Sequence, residues 1–293
     1  MELIHSFLNY LEFEKRYSKR TINSYQTDLF QFSQFCSSRG IEQLSEVDSK
    51  IVRNWVVVLL EDSCSNRSVN RKLSTLKSFY KFLLKQSFTE VNPLNKIDSL
   101  KIRKKLPVFV TSNQINQLLD EVTFNSDFSG IRNKLIIQVL YNTGIRLSEL
   151  IALKEADVDK DNLTIKVLGK RNKERIIPIT LPLFNAIEHY RIFKHQEFGN
   201  GCAFLFVSDS GTALYPKLVY RITTSALNHV TTMDKRSPHV LRHTFATHLL
   251  NNGAQISAIK EILGHTSLAA TQVYTHNSFE KLKRIYKQAH PRA

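Results

Sequence analysis

Cysteine is scarce in this chain, which has only Cys36, Cys64 and Cys202, far apart and odd in number. Such a set predicts free thiols in a reducing compartment rather than a disulfide framework. No apolar run approaches the roughly 20 residues that span a bilayer. The amino terminus has acidic Glu2 and neither the basic start nor the apolar core of a signal peptide. We therefore expect a cytoplasmic protein with no membrane partner.

Motifs for nucleotides and metals are also lacking. There is no Gly-x-x-x-x-Gly-Lys-Ser/Thr loop and no carboxylate cluster suited to magnesium. His239 and His243 have the spacing of a zinc-binding helix, but Val240 stands where His-Glu-x-x-His has its glutamate. We predict neither a metal nor a cofactor.

Positive charge is abundant. A net charge of +15 and a pI near 9.7 favour a polyanionic partner, with nucleic acid as the first candidate and a basic enzyme of another kind as the alternative. The hydrophobic fraction of 42% argues for a folded chain, and 293 residues suffice for one large or two ordinary domains.

The first hundred residues predict a helical bundle. Apolar residues recur at steps of three and four from Ile22 to Phe32 and from Val69 to Leu83, and Asp48 is placed to cap a helix between them. Basic residues lie opposite the second stripe, which is typical of a solvated face as well as of a DNA-binding one. They are Arg67, Arg71, Lys77, Lys81 and Lys85.

The apolar stripe is lost between Asn92 and Pro107, where basic residues gather. We predict a first domain over 1–96, a linker over 97–108 and a second domain over 109–293. The linker is either an ordinary tether or a segment whose basic residues follow a phosphate backbone.

The second domain is predicted to be mostly helical. Ser112 is a candidate helix cap, and a helix from about Arg132 should end near Gly144, with Arg146 fixed at the turn that follows. For Glu149 we favour a structural role over a catalytic one. Alternating apolar residues at 163–167 and 177–179 predict a β-hairpin, and 203–207 is a candidate third strand.

Charge-stabilising and proton-moving groups are concentrated between Ser237 and His276. Arg242 follows His239 by three residues, so both share a face of a helix that begins after Pro238. The helix N-terminus, the planar guanidinium fork and the imidazole together suit a phosphate. The pair indicates an anion site, although His-x-x-Arg alone is also typical of a solvated helix start.

Ordered motifs fill most of the second half of the chain. They are Thr143-Gly144-Ile145-Arg146-Leu147-Ser148-Glu149-Leu150, Lys170 in Gly169-Lys170-Arg171-Asn172-Lys173, His239 with Arg242, Leu263-Gly264-His265, and Tyr274 in Thr-Gln-Val-Tyr-Thr-His. No motif is specific alone, but in this order the chain resembles the tyrosine recombinases, and among them the Xer recombinases of the XerC and XerD type. Tyr286 is better explained by packing, on an apolar stripe of a final helix with Leu282 and Ile285.

The resemblance implies a mainly α, two-domain fold. An N-terminal helical, SAM-like core-binding domain would clasp DNA opposite a mostly helical catalytic domain with a small antiparallel sheet. The implied catalytic residues are Arg146, Lys170, His239, Arg242, His265 and the nucleophile Tyr274. The implied DNA contacts, which are weaker, are Lys19, Arg20, Arg67, Arg71, Lys77 and Lys81.

The resemblance also implies a function and partners. Site-specific recombination for chromosome dimer resolution would use a double-stranded DNA site, a homo- or hetero-tetramer with a related recombinase, and an FtsK-like DNA translocase. Integration of a mobile element, type IB topoisomerase activity and catalytically silent DNA binding remain alternatives. Neither metal nor ATP is implied, because the phosphotyrosyl link conserves the bond energy.

Overall fold

The computed structural model describes residues 2–102, 108–169, 173–264 and 276–292, with the backbone alone for 276–281. It divides into two compact units, Met1–Lys105 and Leu106–Ala293. In the first unit the helices are α1 (Glu2–Asn9), α2 (Lys19–Ser37), α3 (Ser49–Glu61) and α4 (Asn66–Lys85). Short helical turns cover Tyr10–Glu14 and Leu44–Glu46.

Each long helix of the first unit begins at a side-chain cap. Ser18, Asp48 and Ser65 accept hydrogen bonds from the backbone N–H three residues later, which satisfies donors that a helix start leaves free. The apolar stripes meet in a core where Trp55 packs against Phe32 with ring centroids 4.8 Å apart. The predicted helical bundle and the cap at Asp48 are confirmed.

A buried carboxylate joins α2 to α4. Asp28 has no exposed surface and accepts hydrogen bonds from Arg71, from Lys72 Nζ at 3.0 Å and from Thr75 Oγ1 at 2.9 Å. The Arg71 side chain is still 47% exposed. Arg71 is therefore oriented from within its own unit while its guanidinium remains at the surface.

The predicted basic face of α4 lies at the surface. The five side chains from Arg67 to Lys85 that define it are exposed. Lys77 Nζ also donates to the Ile97 carbonyl at 3.2 Å, and Lys85 Nζ lies over the Tyr10 ring, 5.4 Å from its centroid. Part of this charge is thus engaged within the unit.

The second unit is built from helices around one small sheet. Its elements are α5 (Ser112–Asn116), α6 (Phe128–Thr143), α7 (Leu147–Ala152), β1 (Val158–Asp159), β2 (Thr164–Leu168), β3 (Glu174–Pro178), α8 (Leu181–Phe198), α9 (Pro216–Asn228), α10 (Pro238–Asn251), α11 (Ile256–Leu263) and α12 (His276–Ala289). Helical turns cover Gln117–Glu121 and Glu155–Asp157. The central helix α6 is buried on most sides, and α8 and α10 pack against it.

The sheet is antiparallel in the order β1-β2-β3. Ile165 pairs with Ile177, and Val167 pairs with Arg175. The predicted hairpin is confirmed, but the predicted third strand at 203–207 is wrong, because the third strand is β1. Segment 203–207 forms only isolated bridges, and its apolar residues Leu205, Phe206 and Val207 are fully buried. An apolar run indicates burial and does not by itself identify a sheet partner.

Side-chain hydrogen bonds fix the second unit near both of its ends. Thr111 rather than Ser112 caps α5, in a reciprocal capping box with Gln114, so the predicted cap is one residue too late. Near the carboxyl end, Tyr286 is buried and its hydroxyl donates to the Asn142 carbonyl at 3.0 Å. The packing role predicted for Tyr286 is confirmed. Among the described helices, none has the length and apolarity to cross a bilayer.

Candidate active site

A tight corner between α6 and α7 forms one wall of the site. Helix α6 ends at Gly144, whose φ of 60° is left-handed, and its N–H donates to the Leu140 carbonyl. A Cβ at Gly144 would lie 2.5 Å from Phe245 Cδ1 and 2.9 Å from Leu263 Cδ2. The predicted helix end is confirmed, and glycine is needed there for conformation and for space.

Arg146 is fixed immediately after this corner. Its Nη1 donates to Glu149 Oε1 at 2.7 Å, and its Nη2 donates to the Gly264 carbonyl at 3.0 Å. Its backbone N–H donates to Glu149 Oε2 at 2.7 Å, which closes a capping box at the start of α7. The side chain is 29% exposed. Arg146 is therefore held in place yet open to a ligand, and Glu149 has the structural role predicted for it.

Arg242 lies behind Arg146, on the first turns of α10. Its side chain donates to the carbonyls of Gly144 and Leu263, the latter at 2.7 Å, and the residue is only 6% exposed. Burial, and next the charge of Arg146, lower the pKa of Arg242 to about 10. The guanidinium is thus still charged at neutral pH.

His239 lies in the first turn of the same helix, which begins at Pro238 as predicted. The residue is exposed, whereas Arg242 is directed inward. Burial, and next the charge of His239, lower the pKa of His243. His239 is therefore at the surface near the start of α10, within reach of solvent and of the neighbouring His243.

Arg175 completes the described part of the cluster and is not among the residues that the sequence motifs indicate. It is 4% exposed, and its Nη1 and Nη2 donate to the two Glu149 oxygens at 2.8 Å each. Its Nε donates to the Ile262 carbonyl at 2.7 Å. The sequence did contain one indication of this role: Arg175 lies two residues before the apolar Ile177, so the alternation of a strand predicts that both face inward.

The charges in the described part of the site do not balance. The guanidiniums of Arg146 and Arg175 bind the Glu149 carboxylate, and Arg242 is close enough to interact with all three charges, so three positive groups lie near one described carboxylate. Burial alone would raise the pKa of Glu149, but hydrogen bonds and charge from Arg175, together with Arg146, lower it to about 2. The carboxylate therefore stays ionised, and the site suits an anion. Among the described residues no His, Cys, Asp or Glu group could hold a metal ion.

Three of the predicted catalytic residues, Lys170, His265 and Tyr274, lie outside the described residues. The structure does describe Gly169, whose N–H donates to the Lys173 carbonyl at 2.8 Å, and Gly264, which accepts from Arg146. The structure thus brings Arg146 and Arg242 together, with His239 on the same helix as Arg242. The remaining three assignments stay predictions.

We expect Gly144→Ala to destabilise the second unit by about 3 kcal/mol and to impair any activity of the site. The estimate combines about 1 to 2 kcal/mol for a left-handed alanine with about 1 to 3 kcal/mol for overpacking against Phe245 and Leu263. Gly253→Ala is the matched control, since Gly253 has a φ of 86° and open space around its Cβ position. Urea unfolding should show a loss of only about 1 kcal/mol for the control. Equal losses would contradict the packing argument.

Comparison with known proteins places this geometry in a family. The chain matches the phage integrase family over residues 108–281 and the N-terminal SAM-like domain of phage integrases over residues 4–87. It is 36% identical over 317 residues to the tyrosine recombinase XerC of Chlorobaculum parvum, covering 99% of this chain and 94% of that protein. It is 38% identical over 296 residues to the XerC of Halalkalibacterium halodurans, covering 99% and 97%.

Solved recombinase structures are also similar to this chain. The XerA recombinase crystal structure matches with a TM-score of 0.50 and 29% identity, over 100% of this chain and 99% of that one. The XerH recombinase in its post-cleavage complex with a palindromic difH substrate matches with a TM-score of 0.74 and 22% identity, over 93% and 77%, which shows the shared fold. The chain therefore belongs to the phage integrase family of tyrosine recombinases.

Proposed function

We propose that this protein is a site-specific recombinase that cuts and rejoins double-stranded DNA through a 3′-phosphotyrosyl intermediate. The observation that carries the proposal is the arginine cluster. Arg146 is partly exposed, Arg242 is buried behind it, and backbone carbonyls fix both. Fixed donors of this kind stabilise negative charge that gathers on a phosphate in a transition state.

The proposed chemistry has two steps. The Tyr274 oxygen bonds to the phosphorus of a DNA phosphodiester, the bond to the 5′-oxygen breaks, and that oxygen takes a proton from Lys170. His239 assists transfer of the tyrosine proton, and His265 hydrogen-bonds to the phosphate. A 5′-hydroxyl from a partner strand then reverses the step, so that a strand is rejoined without ATP or a metal.

Arg146 and Arg242 would neutralise the nonbridging oxygens. The tyrosine phenol has an ordinary pKa near 10, so attack at neutral pH needs a base and a positive pocket. The excess of guanidinium charge around Glu149 supports this assignment. A single carboxylate held by two arginines orients the cluster without cancelling it.

DNA binding by both units is part of the proposal. The core-binding domain would be 1–96 and the catalytic domain 109–293, with the linker at 97–108. Exposed side chains at the start of α2 and along α4 support backbone contacts from the first domain. The proposed contacts are Lys19, Arg20, Arg67, Arg71, Lys77 and Lys81.

The proposed role in the cell is chromosome dimer resolution in the cytoplasm. Full-length similarity to proteins named XerC supports this role over integration of a mobile element. The proposed assembly is a homo- or hetero-tetramer on a DNA site, with a related recombinase and an FtsK-like translocase as partners.

The test begins with selecting bound fragments from random DNA at fixed salt, because phosphate contacts make affinity salt-dependent. The selected site is then built with a nick close to the scissile phosphate, so that the cut fragment diffuses away and the covalent adduct accumulates. We expect an adduct on a denaturing gel in the presence of EDTA and without ATP. DNA binding without any adduct would contradict the proposal, and relaxation of a plasmid that lacks the site would favour a topoisomerase.

A further inference from the structure

Arg175 connects three segments that are far apart in sequence. It lies on β3, and its guanidinium binds Glu149 of α7 through two hydrogen bonds and Ile262 at the end of α11 through a third. Glu149 in turn binds both the side chain and the backbone N–H of Arg146. One buried side chain therefore fixes the hairpin to the Arg146 turn and to the end of α11.

The same side chain lies against two glycines that precede predicted catalytic residues. A Cβ at Gly264 would lie 3.1 Å from Arg175 Cδ, and a Cβ at Gly169 would lie 3.6 Å from Arg175 Nη1. In the chain, His265 follows Gly264 and Lys170 follows Gly169. Arg175 thus contacts the last described residue before each of these two segments.

Arg175 is poorly placed to bind DNA itself. It is 4% exposed, and each of its three guanidinium nitrogens already donates to a protein oxygen. Arg146, by contrast, is 29% exposed. An effect of Arg175 on the reaction must therefore pass through the groups that it holds.

We propose that Arg175 is a positioning residue, which holds Gly169 and Gly264, the residues that precede Lys170 and His265 in the chain, against the Arg146–Glu149 pair. The inference rests on the proposed function. Its consequence concerns the leaving group, because a displaced hairpin would deliver a proton to the departing 5′-oxygen less efficiently. A misplacement of about 1 Å can cost about 100-fold in rate.

The test compares two nicked substrates that differ at one bridging atom. In one the leaving atom is the natural 5′-oxygen, and in the other it is sulfur, which departs as a thiolate and needs no proton. For Arg175→Gln we expect adduct formation to fall about 100-fold on the oxygen substrate and less than about tenfold on the sulfur substrate. Arg175→Lys should behave similarly, because one ammonium cannot reproduce a fork that spans Glu149 and Ile262.

Arg132→Gln is the matched control. Arg132 is also a buried arginine of the second unit, paired with Asp209 at 2.7 Å, but it lies near the start of α6, roughly 18 Å along the helix from Gly144. We expect this variant to lose stability while the ratio of sulfur to oxygen rates stays at the wild-type value. Thermal unfolding and a gel-shift assay of each variant report folding and DNA binding separately.

The outcomes separate the inference from the function on which it rests. A wild-type protein that forms no adduct on either substrate would overturn the proposed function and the inference with it. If the wild type forms the adduct, equal losses for folded Arg175 variants on both substrates would overturn the positioning role. So would wild-type rates in Arg175→Gln or Arg175→Lys, or a raised rate ratio in Arg132→Gln.

Discussion

Tyr274→Phe should eliminate the covalent protein–DNA adduct while DNA affinity remains within about twofold of the wild type. The substitution removes the phenolic oxygen that would bond to phosphorus, and the phenylalanine ring has no nucleophilic atom in its place. The loss should be at least about 10⁴-fold in adduct formation. Arg146, Arg175 and Arg242 are untouched by the change, so the positive site still attracts the DNA backbone.

Tyr286→Phe is the control for this experiment, because it removes the other tyrosine hydroxyl near the carboxyl end. That hydroxyl is buried and donates to Asn142, so its loss should cost about 1 to 2 kcal/mol of stability and leave the adduct in place. Denaturing gels of both variants on the nicked site distinguish the two tyrosines. An adduct that persists in Tyr274→Phe, or that disappears in a folded Tyr286→Phe, would refute the assignment of the nucleophile.

Local features of the fold were predictable where one residue type has one physical use. Gly144 occupies a left-handed helix end, Asp48 caps α3, and the alternation of Ile165, Val167 and Ile177 gives the inward face of the hairpin. Each of these depends on neighbours within a few residues. Short-range stereochemistry therefore determined them, and the sequence pattern was sufficient.

Long-range pairing was not predictable in the same way. Arg71 is placed on a basic face by its helical spacing, but its ion pair with Asp28 joins residues 43 positions apart. In the sequence Arg175 resembles an ordinary charged residue of a hairpin, because its partners Glu149 and Ile262 are distant in the chain and meet it only in the folded unit. Tertiary contact rather than local pattern gives both arginines their roles.

The arginines of the site also act on the backbone. Arg146 binds the Gly264 carbonyl, and Arg242 binds the carbonyls of Gly144 and Leu263. Carbonyls at the ends of helices α6 and α11 lack intrahelical donors, and buried acceptors without a partner are costly. The side chains proposed to bind phosphate thus also complete two helix ends, which couples the stability of the corner to its chemistry.

Arg242→Gln should consequently show two large effects. We expect adduct formation to fall about 10³-fold, because a fixed positive charge near the phosphate is lost. We also expect a loss of about 2 to 4 kcal/mol in the free energy of unfolding, because glutamine cannot satisfy Gly144 and Leu263 at once. Single-turnover cleavage on the nicked site and urea unfolding measure the two effects separately.

Arg242→Lys distinguishes charge from geometry. The lysine keeps a positive charge but cannot donate along both directions of the guanidinium fork, so it should recover only part of the rate. Arg191→Gln provides the control: Arg191 pairs with Glu155 and Glu188 in the same unit, its side chain is partly exposed, and its loss should leave cleavage unchanged. Wild-type cleavage by a folded Arg242→Gln variant would contradict the proposed catalytic role of Arg242. Full activity of Arg242→Lys with undiminished stability would instead show that charge alone matters at this position.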